Sequence, residues 1–175
     1  MHKVILLAIL TLSIHACELP EDYPVTSQPV YFEYNYINYA WGYHNKGWII
    51  DEEGNVRAYN LPEAWMEPDS TGYIQEEDLL FNISQTDSVI GVVDSTVLIA
   101  KAALIPGAKD GKISKQENTA FDAGSAVLSA YYYDAEEEAY IKVFLAMSGD
   151  FSSQNESREA KKLVSWLRSF GVFWL

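Results

Sequence analysis

Several residue types that support particular structures or reactions are scarce in this 175-residue chain. Cys17 is the only cysteine, which excludes an internal disulfide. There are only three histidines, so a zinc site built from cysteine and histidine is not expected. The apolar run at residues 4–14 is too short for a membrane-spanning helix, which needs about 20 residues.

Positive charge is scarce as well. The chain has 12 lysine and arginine residues against 25 aspartate and glutamate residues, a formal net charge of −13 at pH 7. Such a chain repels phosphate backbones, so nucleic acid is not expected as a partner. The need for solubility explains this acidity, which remains compatible with basic proteins, cations or neutral sugars as partners.

The N-terminal segment has the features of a secretory signal. Lys3 precedes the apolar run at residues 4–14, whose length is typical of the central part of a signal peptide. Residues 14–17 have the sequence IHAC. This quartet resembles the lipobox of bacterial lipoproteins, in which an aliphatic residue, a tolerant position and a small residue precede the cysteine that receives lipid.

The resemblance implies cleavage before Cys17 and attachment to a membrane through lipid on that cysteine. The lone thiol supports it, because lipidation explains a cysteine without a disulfide partner. We therefore expect a signal peptide over residues 1–16, a lipidated tether over residues 17–28 and one globular domain over residues 29–175. The chain is also similar in style to small Bacteroidota lipoproteins, which implies an outer-membrane or cell-surface location.

Aromatic-rich and alternating segments predict an antiparallel sheet. Residues 30–43 are expected to form one long strand. Residues 48–51 and 56–59 predict a hairpin around a Gly-Asn turn. Residues 126–133 and 140–147 flank an acidic loop, and their alternation predicts a second hairpin.

Helices are expected between these hairpins. Residues 74–83 place their apolar side chains on one side. Residues 89–105 are mostly apolar and predict a buried helix that ends before Pro106-Gly107. Alternatively, Gly91 divides this segment into a short strand or turn and a helix from about Ser95.

A further helix is expected near the C-terminal end. Apolar residues recur at helical spacing from Ala160 to Gly171, and Ser153 with Glu156 has the pattern of a capping box. Residues 172–175 are apolar and predict an edge strand or plug. These elements together predict an α+β domain, an antiparallel sheet built from two hairpins with helices packed on one face.

No pattern for catalysis or metal binding is convincing. Once the signal peptide is removed, His44 is the only histidine, and Cys17 carries lipid. Residues 110–117 resemble half of an EF-hand loop, but Pro106 and Ala108 stand where acidic ligands are required. We therefore expect no catalytic residue, no cofactor and no metal site. Paired carboxylates among the 25 acids leave glycoside cleavage open as an alternative.

The aromatic stretch between residues 31 and 48 is the candidate ligand-binding region. Alternation along the first strand directs Phe32 and Tyr34 to the core and Glu33 to a wetter face. The candidate ligand-binding residues are Tyr39, Trp41, Tyr43, His44 and Trp48. Exposed rings beside hydrogen-bonding groups suit sugars or protein hot spots. The alternative is that helices or loops cover this face too and make the rings part of the core.

These features predict a membrane-anchored envelope lipoprotein that is not an enzyme and whose domain binds a protein or glycan partner. Two alternatives stay open. One is a carboxylate-based glycan hydrolase, which an activity screen on glycans distinguishes from a binder. The other is an immunity or inhibitor protein with an acidic surface, whose binding to a basic toxin weakens as salt is raised.

Overall fold

The computed structural model describes residues 27–170. The predicted signal peptide, the lipobox with Cys17, most of the tether and the predicted edge strand or plug at residues 172–175 lie outside the described residues. The strands are β1 Val30–Asn38, β2 His44–Asp51, β3 Asn55–Asn60, β4 Tyr73–Ile74, β5 Ser88–Val92, β6 Glu117–Asn118, β7 Ser125–Asp134, β8 Ala139–Gly149 and β9 Phe151–Gln154. The helices are α1 Glu76–Ser84, α2 Ser95–Ala102, α3 Ile105–Lys109 and α4 Arg158–Arg168.

These strands join one antiparallel sheet, and the chain is of the α+β class. The strand order is β5-β3-β2-β1-β7-β8-β9-β6, and β4 pairs with β8. The pairs β2–β3 and β7–β8 are hairpins, with β1 hydrogen-bonded between them. The sheet is therefore more extensive than the two hairpins that the sequence predicts.

The first face of the sheet carries the larger hydrophobic core. One cross-strand row on this face consists of Val56, Ile50, Phe32, Ala130 and Val143. Leu98 of α2, Ile105 of α3 and the pair Leu163 and Leu167 of α4 pack in the same cluster of buried residues. Each fully buried side chain of this size contributes about 1.5–3 kcal/mol. Three helices thus hold this row away from water.

The second face has a smaller core under α1. This cluster consists of Val30, Ile49, Ile74, Leu79, Tyr131 and Tyr140. Ile49 and Tyr131 are strand neighbours of Ile50 and Ala130, so their side chains point to the opposite face. Leu79 belongs to α1. The helices therefore lie on both faces of the sheet, not on one as the sequence suggested.

A charged cluster is buried on the second face. Glu33 is 1% exposed, and its Oε2 accepts a hydrogen bond from the hydroxyl of Tyr131. The Nζ of Lys142 lies 3.0 Å from Glu33 Oε2 and 3.1 Å from Glu67 Oε2. Burial alone lowers the pKa of Lys142, but the two carboxylates together raise it above its ordinary value. Burial and the Glu33 carboxylate raise the pKa of Tyr131 well above its ordinary value.

This cluster corrects one part of the sequence interpretation. Alternation along β1 was expected to place Glu33 on a wetter face. Instead Lys142 of β8 pairs there with the buried carboxylate of Glu33 and also with Glu67 of the loop before β4. These segments come from distant parts of the chain, so the local pattern of β1 does not reveal them.

The middle of the chain divides as expected. Gly91 lies within β5, and α2 begins at Ser95. The side chain of Asp94 caps α2 by accepting a hydrogen bond of 2.9 Å from the backbone N–H of Thr96. The alternative division near Gly91 is confirmed, but the prediction of one buried helix over residues 89–105 is wrong.

Helix α2 ends at Ala102 and buries only Leu98 and Ala102, and Pro106 and Gly107 lie inside α3 instead of ending a helix. Proline is tolerated there because it stands in the first turn of α3.

The last helix starts later than predicted. Its N-cap is Ser157, whose hydroxyl accepts a hydrogen bond of 3.1 Å from the backbone N–H of Ala160. Ser153 instead lies in β9, paired with Met147 of β8. The predicted capping box of Ser153 and Glu156 is therefore wrong, because pairing with β8 keeps this segment extended up to Gln154.

The domain begins before Pro29. The side chain of Gln28 is 5% exposed, and its Nε2 donates hydrogen bonds of 2.8 Å to the carbonyl oxygens of Val30 and Tyr131. Gln28, assigned to the tether by the sequence interpretation, thus packs against the domain.

Candidate functional site

Three of the predicted ligand-binding rings lie in the loop between β1 and β2. Tyr39, Trp41 and Tyr43 are 74%, 79% and 53% exposed. The ring centroids of Tyr39 and Tyr43 are 5.3 Å apart, with an angle of 32° between the planes. His44 starts β2 beside them and is also exposed. Large exposed apolar groups that cluster in this way typically mark interaction surfaces.

Asn38, the last residue of β1, shapes this loop. It is 6% exposed, and its Oδ1 accepts a hydrogen bond of 2.7 Å from the backbone N–H of Ala40. Such a bond is an Asx-turn, which bends the chain out of the strand. Gly42 then adopts a φ of 108°, which an L side chain rarely adopts. β1 consequently ends at Asn38 rather than at residue 43, and the rings project from a loop.

A second loop, residues 119–124, lies beside the first. The Nδ2 of Asn38 donates a hydrogen bond of 3.1 Å to the carbonyl oxygen of Asp122. The hydroxyl of Tyr36 donates one of 3.2 Å to the carbonyl oxygen of Ala123. Phe121, in this second loop, is 86% exposed. We name Tyr39, Trp41, Tyr43 and Phe121 the aromatic tip.

The sequence interpretation missed Phe121. Its local signal is a single aromatic residue beside Asp122 and near Gly124, two residues typical of turns. Hydrogen bonds from Tyr36 and Asn38 hold this loop at the end of β1, and they join residues that are more than 80 positions apart.

A long trough crosses the part of the first sheet face that the helices leave open. One row of its floor consists of Ser88, Ala58, Trp48, Tyr34, Leu128 and Ala146. The neighbouring row consists of Asn60, Lys46, Tyr36, Ala126 and Ser148. Residues paired across antiparallel strands share a face, so both rows point into the same groove.

The trough has three connected sections. The section over β2 and β3 has a volume of about 380 Å³, and Tyr34 also lines the middle section of about 170 Å³. Ala146, Met147, Ser148 and Arg168 line both the middle section and the third section. The third section lies between α4 and β9 and has a volume of about 830 Å³. The first and third sections are as large as ligand-binding clefts, which have volumes of about 300–1,000 Å³, and the middle section is smaller.

Trp48 belongs to the trough floor and not to the aromatic tip. It is 2% exposed, and its ring packs against Tyr34 at 5.8 Å and against Phe170 at 6.4 Å between centroids. The structure therefore brings Tyr39, Trp41, Tyr43 and His44 together at one end of the sheet and places Trp48 in the core beside them.

The described residues offer little for metal chemistry. Within residues 27–170, no group of three or more histidine, cysteine, aspartate or glutamate side chains has the geometry of a metal site. Glu117 and Glu156 are two carboxylates that line the same section of the trough. This arrangement is suited to hydrogen bonding with hydroxyl groups.

No protein-family model, curated protein or solved structure matches this chain. Within residues 27–170, the helices all fall short of the length and apolar character needed to cross a bilayer.

Proposed function

We propose that the protein is a lipid-anchored envelope lipoprotein whose domain binds a glycan through the aromatic tip. The observation that carries this proposal is the cluster of exposed rings at one end of the sheet, next to a trough that is open to solvent. The rings remain exposed although burying them would be favourable, which is typical of a binding surface.

The chemistry around the rings favours a glycan over a protein partner. Flat exposed rings stack on the apolar faces of sugars, and polar side chains then bind the sugar hydroxyls. The trough beside the tip supplies such polar groups, among them Lys46, Asn60, Ser88 and Ser148. A protein interface of ordinary size has an apolar centre of buried anchors, whereas the floor row nearer the tip contains the polar residues Asn60, Lys46 and Ser148.

The position of the tip supports the proposed anchoring. The chain enters the domain at the opposite end of the sheet, where the hydroxyl of Ser27 donates a hydrogen bond of 2.9 Å to Glu52. β1 has nine residues and spans about 27 Å at about 3.4 Å per residue. With lipid on Cys17, the tip faces away from the membrane and towards the glycans of the surroundings.

The test is a titration of the purified domain with a panel of neutral and acidic oligosaccharides, monitored by intrinsic tryptophan fluorescence and calorimetry. We expect Trp41→Ala to weaken binding about tenfold or more, because loss of a central ring costs about 1.4 kcal/mol or more. The matched control is Val92→Ala, since Val92 is 71% exposed but lies on the edge strand β5. Circular dichroism should show that both variants are folded.

Three kinds of result would contradict the proposal. Equal affinities of Trp41→Ala and the parent domain, or no binding to any glycan, would exclude the tip as a glycan site. Release of reducing ends from a glycan would identify a hydrolase. Salt-sensitive binding of basic proteins without glycan binding would identify the inhibitor alternative.

A further inference from the structure

Positive charge is concentrated on one side of this acidic protein. Eight of the twelve lysine and arginine residues lie on α2, α3, α4 and the loop that follows α3. They are Lys101, Lys109, Lys112, Lys115, Arg158, Lys161, Lys162 and Arg168. Helix α4 alone carries four cations and one acid, in a chain with a formal net charge of −13.

Three of these cations line the third section of the trough. Lys115 lies on one wall, and Lys161 and Arg168 lie on α4 on the other. Within residues 27–170, none of the three makes an ion pair, whereas Lys142 and Arg57 are both paired with carboxylates. Their positive charge is therefore available to a ligand in this section.

The remaining lining residues indicate what kind of anion fits. Ser148, Ser152, Ser165 and Gln154 supply hydroxyl and amide groups between the cations. These groups donate hydrogen bonds to hydroxyl groups and accept hydrogen bonds from them, so they are able to bind the hydroxyls of a sugar ring. Cations spaced among neutral polar groups match a sugar chain that carries a charge on some of its rings.

Two acids in the same section argue against other polyanions. Glu117 and Glu156 line it together with the cations. Closely spaced phosphates would be repelled by these carboxylates, and nucleic acid binding relies on many phosphate contacts. A sugar instead offers hydroxyl groups that donate to carboxylates. A concave groove of about 830 Å³ also fits an inserted chain better than a flat bilayer surface.

We infer that the section of the trough between α4 and β9 binds the anionic groups of an acidic polysaccharide, either carboxylates or sulfates. The inference rests on the proposed glycan-binding function and names the class of glycan. The middle section connects this groove to the floor around Tyr34, so one sugar chain can extend along the face. The protein as a whole is acidic, but the lining of this groove has more cations than acids: Lys115, Lys161 and Arg168 against Glu117 and Glu156.

The test compares three oligosaccharides of equal length by calorimetry: an oligogalacturonate, whose charges are carboxylates, a carrageenan oligosaccharide, whose charges are sulfates, and a neutral cello-oligosaccharide. At least one acidic ligand should bind about tenfold or more tightly than the neutral one at low salt, and this advantage should shrink as salt rises. The two acidic arms distinguish carboxylate from sulfate as the recognised group.

The variant Lys161→Glu should remove the preference for the acidic ligand. Its matched control is Lys162→Glu, which makes the same charge change on the next residue of α4 but outside this groove. Both side chains are exposed, so both variants should fold. We expect a loss of about tenfold for Lys161→Glu and less than about threefold for Lys162→Glu.

Different experimental results would contradict the acidic-glycan inference and the proposed glycan binding by the tip. If neutral and acidic ligands bind equally well and only Trp41→Ala weakens them, the acidic-glycan inference is overturned and glycan binding by the tip stands. Equal losses in the two lysine variants, or equally tight binding of DNA or of anionic vesicles, also overturn the inference. If no glycan binds at all, both proposals are wrong.

Discussion

Lys142 lies between two carboxylates, and this environment determines how much a substitution would lower the free energy of unfolding. Its side chain is 18% exposed and its Nζ contacts both Glu33 and Glu67. Glu33 is buried, and its Oε1 has no hydrogen-bond partner among the described residues. The ammonium group of Lys142 therefore offsets most of the free-energy cost of removing the Glu33 carboxylate from water.

We expect Lys142→Met to lower the free energy of unfolding by about 3–5 kcal/mol, because it leaves the Glu33 carboxylate buried without an opposite charge. Urea denaturation at pH 7 measures the change. The control is Lys109→Met, since Lys109 pairs at 3.9 Å with Asp110, whose side chain is 84% exposed. Such surface pairs contribute about 0–1 kcal/mol. Similar losses in the two variants would show that the Glu33 cluster is not a buried ion pair in solution.

Helix α4 shows how a single element combines core packing and recognition. Its side facing the sheet buries Ala160, Leu163 and Leu167. Its exposed side carries Lys161 and Lys162, and Arg168 closes its last turn, where a cation interacts favourably with the helix dipole. The helix therefore both covers the sheet and forms one wall of the trough.

The two sides of α4 should respond differently to truncation. Leu167→Ala should lower the free energy of unfolding by about 2–5 kcal/mol, as removal of a fully buried leucine side chain does. Lys162→Ala should cost less than about 0.5 kcal/mol because the side chain is exposed. Thermal and urea unfolding of both variants measure this contrast. Comparable losses would mean that α4 docks with its other side against the sheet.

The two ends of the whole molecule differ in chemical character. The end where the chain enters carries the acidic turns with Glu52, Glu53 and residues 136–138. The opposite end carries the aromatic tip. In the proposed lipid-anchored protein, anionic headgroups would repel this acidic end, which favours holding the domain away from the membrane surface.

The proposed anchor is tested on the full-length chain in a bacterial host. Cys17→Ser should abolish incorporation of radiolabelled palmitate and move the protein from the membrane to the soluble fraction, because the lipid chains supply the membrane affinity. The parent protein should stay with the membrane after a high-salt wash, which removes electrostatically bound proteins. Unlabelled parent protein in the soluble fraction would contradict lipid anchoring.

Local patterns predicted much of the secondary structure. Alternation and turn residues indicated the two hairpins, and helical spacing indicated α4. The start of α4 was misplaced because Ser153 satisfies its backbone by pairing with Met147, a partner that a capping pattern does not reveal. The end of β1 was misplaced because Asn38 forms an Asx-turn held by a second loop.

The candidate site was predicted only in part. Tyr39 and Trp41 were expected on the wetter face of a strand over residues 30–43, close to Tyr43. All three are exposed, but in the loop after β1. Trp48 lies in the same stretch but is buried, and the rings of Tyr34 and of Phe170, which follows α4, pack on it. The sequence pattern does not distinguish an exposed aromatic residue near a turn from a buried one inside a strand. The packing of α4 and the residues after it against the sheet decides which ring is buried.

The sequence by itself determined the α+β class, the hairpins, the amphipathic character of α4 and the acidic composition, because these depend on neighbours along the chain. The tertiary structure decided what is buried and what is brought together. Glu33 became a core residue through Lys142, Phe121 joined the tip through Asn38, and eight scattered cations gathered on one side of an acidic protein. Each of these depends on contacts between distant segments, which the order of strands in the sheet establishes and local periodicity does not encode.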